Sequence, residues 1–326
     1  MQPEFFFTTS FLYNFFKQAD EDKEINGKLN SHQQEFVYFF ESRTGYVLND
    51  GRMKDLMTLA IPRKVIGQPS NPPYRPMDNK SQDTSNRYIN TQKEAITNCF
   101  AAFSDSFSPA VCNSYRSQYF TPIFSSKEVQ ENWAKYSGKH SVDIVKDKFY
   151  QWTDILAIFD LPSNAIIISD RYIGSDQEKI KNNIIPILEH FSEISTQTVP
   201  VIILSSSKAA QERQVYGSSE FNDLTEYQTY LEEWLNREFE DRLKVTFLFL
   251  PKRKIKHDRR IFTKFCLLNI PKGLDILNAQ GQALEDTEPS IRSVFHAEIK
   301  KSQNFLRLKS DVLEVVNASD TLSITI

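Results

Sequence analysis

Three short runs in the second half of the chain constrain the fold more than anything else in the sequence. Ala165-Ile166-Ile167-Ile168-Ser169, Pro200-Val201-Ile202-Ile203-Leu204 and Val245 to Leu250 are apolar without alternation, the pattern of strands buried on both faces. Between the first two, Ser175-x-x-Glu178 reads as a capping box that opens a helix. That helix would carry Ile180, Ile184, Ile187, Leu188 and Phe191 on one stripe, with Pro186 kinking or shortening it. Between the second and third runs, Leu224, Tyr227, Leu231, Trp234, Leu235 and Phe239 form another stripe. Ile261 to Ile270 adds a fourth extended segment. The order β-α-β-α-β-β, with helical crossovers between buried strands, predicts an α/β sandwich with a mostly parallel sheet. Its ligand would lie beyond the carboxyl ends of the strands. Asp170-Arg171-Tyr172, Ser205 to Lys208 and Lys252 to Arg260 emerge there.

The first half is less patterned. A chain of 326 residues fits one large domain or two ordinary ones, and the change in character divides it into residues 1–135 and 140–326. The run from Phe5 to Phe16 is expected to be core, as an edge strand or a short buried helix. It carries Glu4 and Asn14 and lacks a basic leader, so it reads poorly as a signal peptide. Glu35 to Phe40 and Met53 to Ile61 fit helix and strand equally. Pro69, Pro72, Pro73 and Pro76 make residues 68–87 a loop. A helix is expected from Thr91 to Phe103.

Several function classes are excluded early. The nine glycines form neither GxGxxG nor GxxxxGK, so the usual dinucleotide and P-loop fingerprints are missing. Cys99, Cys112 and Cys266 are too few for a disulfide framework or a structural zinc site. A reducing, cytoplasmic setting is expected, with no cofactor and no metal. No window approaches the ~18 apolar residues of a membrane span. Glu298-x-Lys300, with Asp286 or Asp275 as partner acid, matches a short pattern of metal-dependent nucleases that is common by chance.

Charge is nearly balanced, 39 basic against 42 acidic side chains for a net −3. Affinity for an anion must therefore come from a local patch. Lys252-Arg253-Lys254-Ile255-Lys256-His257-Asp258-Arg259-Arg260 is that patch, with six cations against one acid. Lys252, Arg253, Lys256, His257, Arg259 and Arg260 are the candidate phosphate ligands. Asp170 either orients an arginine across the sheet end or terminates its strand by holding local amides. The plainer alternative is a solvated basic turn facing acidic helix surfaces such as Glu232-Glu233 and Glu238-Glu240-Asp241. Phe247, Phe249 and Phe265 are expected in the core rather than as base-stacking platforms.

Four segments resemble one known pattern: Asp170-Arg171-Tyr172-Ile173; Gln177 with Asn182 or Asn183; His257-Asp258-Arg259-Arg260-Ile261; and Lys272-Gly273-Leu274-Asp275. They are similar to the phospholipase-D-like domain that follows a microtubule-interacting-and-trafficking (MIT) domain in a eukaryotic abscission protein, a family with bacterial relatives. The resemblance spans roughly Gln151 to Lys301, and residues 1–135 do not resemble an MIT domain. It implies a phospholipase-D-like fold that binds anionic ligands, nucleic acid or a phospholipid headgroup, without cleaving them. Active phospholipase-D enzymes use two His-x-Lys motifs, whereas here His257-x-Arg259 is a single altered copy and Lys264 stands where an aspartate is expected. Arg260 replaces the family's Glu. The bacterial distribution implies a place in anti-phage defence. Two alternatives remain open. A homodimer would pair two His257 side chains for metal-independent phosphodiester cleavage, or the N-terminal region would bind a protein partner.

Overall fold

The computed structural model describes residues 3–67, 74–77, 96–97, 99–138, 142–212, 221–255 and 259–317. It divides into two compact units, Met1–Lys139 with Val294–Asn304, and His140–Ser293 with Phe305–Ile326. The expected loop at 68–87 lies outside the described residues except for Tyr74–Met77, which form a strand.

The first unit is built on a parallel sheet of β1 (Glu4–Thr8), β2 (Thr44–Leu48), β3 (Tyr74–Met77), β4 (Ala101–Phe103) and β5 (Ile123–Phe124), in the order β3-β2-β1-β4-β5. Phe5, Phe6 and Phe7 thus lie on the central strand, not an edge, and all three are fully buried. A run with no polar alternate position must be covered on both faces, which a central strand provides. Helix α1 (Thr9–Asn26) follows directly, with the Thr8 hydroxyl accepting from the Phe11 amide and Gly27 closing it in the left-handed region at φ 73°. Asn30 and Gln33 make a reciprocal capping box for α2 (Ser31–Ser42). The two ambiguous segments are therefore helical, the second divided between α3 (Met53–Leu56) and α4 (Ala60–Ile66). Of the helix expected from Thr91 to Phe103, Ile96 and Thr97 are helical and residues 91–95 and 98 lie outside the described residues, while Ala101–Phe103 is a strand, which corrects its end; three apolar residues are too few to show a period. Helices α5 (Pro109–Tyr119) and α6 (Ser126–Tyr136) complete the unit. Aromatic rings fill its core: Phe7 stacks on Phe103 at 4.7 Å, and Phe36 meets Trp133 edge-on at 5.0 Å.

The second unit is also α/β, but its sheet is mixed. Strands β6 (Ile166–Ser169), β7 (Val199–Ser206), β8 (Leu243–Leu250), β9 (Arg259–Phe262), β10 (Cys266–Ile270) and β11 (Ser290–Ser293) run in the order β11-β10-β9-β6-β7-β8. Only β6-β7-β8 are parallel; β9 returns antiparallel to β6 and to β10. This corrects the mostly parallel sheet expected from the apolar runs. The single segment expected from Ile261 to Ile270 is a hairpin, and Thr263 makes its turn by accepting from the amides of Phe265 and Cys266.

Helix α7 (Trp152–Ile155) precedes β6, and the crossover to β7 is α8 (Gln177–Lys179), a π turn over Ile180–Ile184 and α9 (Ile185–Ile194). Asp176, rather than Ser175, caps it by accepting from the Glu178 amide at 3.0 Å. Pro186 follows the π turn within one continuous helical run, and its missing N–H leaves a gap in the ladder where that turn interrupts the α-helix. Helices α10 (Ser207–Glu212) and α11 (Leu224–Phe239) lead to β8. Asn236 of α11 donates to the Val245 carbonyl and accepts from its amide, and Glu232 accepts from the Phe247 amide. The outer edge of β8 is thereby closed to further strands.

Helix α12 (Ile299–Asn317) ends the described chain, and no described helix is long and apolar enough to cross a membrane. Within the second unit its Lys309 is 5% exposed, donates to the Lys264 carbonyl at 3.3 Å and lies over the Phe305 ring. Burial, with the nearby Lys264 charge, lowers its ammonium to about 7, against a weaker opposing effect of Cys266. A lysine lowered on folding costs nothing above its unfolded range; the cost grows as pH falls from about 10.5 towards 7 and is constant below. Lys309→Met should therefore be more stable than the parent at pH 7 by about 2–4 kcal/mol, an advantage that shrinks towards pH 10. Urea unfolding at the two pH values measures it, and a pH-independent difference would contradict it.

Candidate functional site

The carboxyl ends of β6, β7 and β8 place the sequence-predicted residues at one end of the second unit's sheet. Asp170 follows β6 and is 1% exposed. One of its oxygens accepts from the Tyr172 amide and the other from the Leu274 amide, both at 2.8 Å. Burial pushes its carboxyl up; the two amides pull it down, Asp275 raises it and Arg259 lowers it. Gly273 makes the close approach possible. At φ 131°, a side chain there would put its Cβ 2.5 Å from an Asp275 oxygen and 3.6 Å from Asp170. Asp275 in turn pairs with Lys179. Asn183 joins the same support, accepting from Trp152 Nε1 and the Leu277 amide and donating to the Leu277 carbonyl. The D-R-Y-I and G-L-D segments and Asn183 therefore interlock, although they are up to 104 residues apart.

Arg259 donates to the Pro271 carbonyl at 3.0 Å, and its guanidinium lies 5.6 Å from the centre of the Tyr172 ring. Asp170 thus acts on Arg259 through its field, while both its oxygens are held by amides. Arg260 is the next residue of the same strand and so faces the other side of the sheet. It is 7% exposed and borders a cavity of about 40 Å³ with Ser169, Leu204, Lys254, Ile255 and Asp311. The two arginines do not form one surface. Lys252, Arg253 and Lys254 do: they make a short 3-10 turn after β8, exposed to solvent. Lys256, His257 and Asp258 lie outside the described residues.

Arg171, which the sequence places among the residues emerging at the carboxyl ends of the strands without a role of its own, holds this turn in place. It is 8% exposed and donates to the Ile255 carbonyl at 2.9 Å and the Lys252 carbonyl at 3.4 Å. Its own carbonyl accepts from the Ser206 amide and the Ser205 hydroxyl, which ties it to β7. The signal was its place directly after a buried strand. Of the expected acidic partners, Glu232 is committed to the edge of β8 instead.

A second polar cluster escaped the sequence reading altogether. The strand order of the first unit reverses between β1 and β4, the usual place for a crevice in an open parallel sheet. Asp50 fills it, accepting from the Thr9, Ser10 and Ser106 hydroxyls and the Ser10 amide. Burial alone would raise Asp50, but those hydrogen bonds outweigh it and leave the carboxyl lowered. Among the described residues, no group of three or more His, Cys, Asp or Glu side chains could hold a metal ion.

Removing the Asp170 carboxylate leaves two buried amides without an acceptor. Asp170→Ala should cost about 2–4 kcal/mol and Asp170→Asn, which retains one acceptor, about half as much. Because the folded carboxyl is raised, its stabilising contribution is largest in acid and declines as pH rises through the shifted value. The Ala penalty should thus be greater near pH 4 than at pH 7 in denaturant titrations. An unchanged midpoint would contradict this bonding scheme.

No family model matches the sequence, and no curated protein does. Among solved structures, the chain is similar to a phosphatidylserine synthase from Haemophilus influenzae Rd KW20, at 14% identity and a TM-score of 0.25. That likeness covers 56% of this chain and 46% of the other, so the chain spans less than half of that protein.

Proposed function

We propose that the second unit is a phospholipase-D-like domain that binds phosphate groups without cleaving them. The observation that carries this reading is the Lys252-Arg253-Lys254 turn. Three consecutive exposed cations stand at the carboxyl end of a parallel strand, with no ion pair to an acid among the described residues. Like charges this close repel, and a rigid support is needed to keep them together. Arg171 supplies that support from beneath. The interlocking of Asp170, Asn183, Gly273 and Leu274 supports the resemblance further, since these are the positions its pattern shares.

The ligand chemistry is a phosphate monoester or diester, presented by a nucleic acid or by a phospholipid headgroup. A place in anti-phage defence belongs to the same proposal through the family's bacterial relatives. Because Arg260 is buried, reversing its charge would test folding; the turn is the place to test binding. The triple variant Lys252→Glu, Arg253→Glu, Lys254→Glu should keep the parent's melting temperature. It should lose at least tenfold in affinity for single-stranded DNA or for vesicles containing phosphatidic acid, and flatten the salt dependence. Whichever of the two probes responds identifies the source of the phosphate. Undiminished binding of both would refute the proposal.

A further inference from the structure

An arginine taken out of water normally faces a carboxylate or a bound anion, because an uncompensated buried charge is costly. Arg171 faces no carboxylate among the described residues: its guanidinium meets two carbonyls, and its Nε is buried with no hydrogen-bond partner. Ser206 is 1% exposed, and its hydroxyl is likewise buried and without a partner. The two are joined by the Ser206 amide, which donates to the Arg171 carbonyl at 3.1 Å. Ser206, two residues on from Leu204 along β7, lies on the same face of the sheet as Leu204 and its register neighbours Ser169 and Arg260, and Arg171 approaches that side through the carbonyl of Ile255, a residue that borders the cavity there. Arg260 and Lys254 border the cavity on that face.

The cavity is small, about 40 Å³, enough for a water or two but not for a phosphate. What closes it is the last part of α12, through Asp311, Val312 and Val315. This cover brings a carboxylate to a cationic pocket, and it also buries Lys309 against the Lys264 carbonyl. The border of the cavity therefore holds two cations, Lys254 and Arg260, with Asp311 as its acid.

We propose that Arg171, Ser206 and Arg260 form a phosphate seat on this face, and that the C-terminal part of α12 covers it. Asp311 stands where the anion goes until a phosphate displaces the helix. This inference rests on the phosphate-binding reading above and adds where the phosphate sits and what controls access to it.

Inorganic pyrophosphate, titrated calorimetrically at fixed ionic strength into the full chain, is the probe. Ser206→Ala removes a buried hydroxyl with no partner, so it should fold as well as the parent and bind pyrophosphate about fivefold more weakly. Asp311→Asn should bind about fivefold more tightly. Pyrophosphate should also speed amide hydrogen exchange across residues 305–317 of the parent chain. Unchanged affinity in Ser206→Ala, or no pyrophosphate binding while the exposed turn still binds DNA or vesicles, overturns the seat. Unchanged exchange in α12 overturns the cover, even if Asp311→Asn fails to fold. The exposed-turn reading fails separately, if the triple charge reversal binds those larger probes as the parent does.

Discussion

The carboxyl end of the second unit's sheet depends on one interaction: a buried guanidinium that spends its hydrogen bonds on the carbonyls of Lys252 and Ile255. Those carbonyls belong to a turn whose side chains repel one another. Without an anchor, a chain carrying Lys252, Arg253 and Lys254 in succession would spread them to lower that repulsion. Arg171 fixes the backbone from below, and β7 fixes Arg171 through Ser205 and Ser206. The cations are thus presented by a scaffold of parallel strands rather than by a free loop. In the proposed phosphate-binding reading, that support is what sets the turn apart from a solvated charge run.

The two units treat their strand ends differently. In the first, Asp50 fills the crevice at the reversal of strand order and is satisfied by three hydroxyls and an amide, so its charge is answered within the chain. In the second, Arg171 carries the opposite charge, is more deeply buried, and has no acid among the described residues. One arrangement is complete as it stands. The other pairs its arginine with carbonyls alone, and the phosphate proposed for it matches arginine in sign and hydrogen-bonding capacity.

What the sequence disclosed follows from which signals are local. The runs at Ile166, Val201 and Val245 announced buried strands because each is apolar on both faces, and the stripes on α9 and α11 followed from helical spacing. Strand direction was not local. Nothing within Ile261–Ile270 says that β9 runs antiparallel to β6; that depends on pairing across about 90 residues. The run from Phe5 to Phe16, expected in the core as an edge strand or a short buried helix, is buried at every phenylalanine, but its strand is central rather than at an edge, and that centrality depends on β4, only three residues long. At the site, the charge run marked the turn, but alternation along β9 separates Arg259 from Arg260, which composition cannot show. Arg171 was hidden because a lone arginine in a loop signals exposure, and only the fold shows it to be enclosed.

The central claim is that Arg171 is a buried, anion-ready charge rather than a purely structural anchor. The most direct measurement is the nuclear magnetic resonance signal of its side-chain Nε–H in the full chain, assigned by Arg171→Lys and followed as pyrophosphate is added. A buried Nε–H without a partner should exchange slowly with water and shift markedly as the anion saturates it. A signal that stays in place while pyrophosphate binds elsewhere would show that Arg171 only braces the turn, and would contradict the claim.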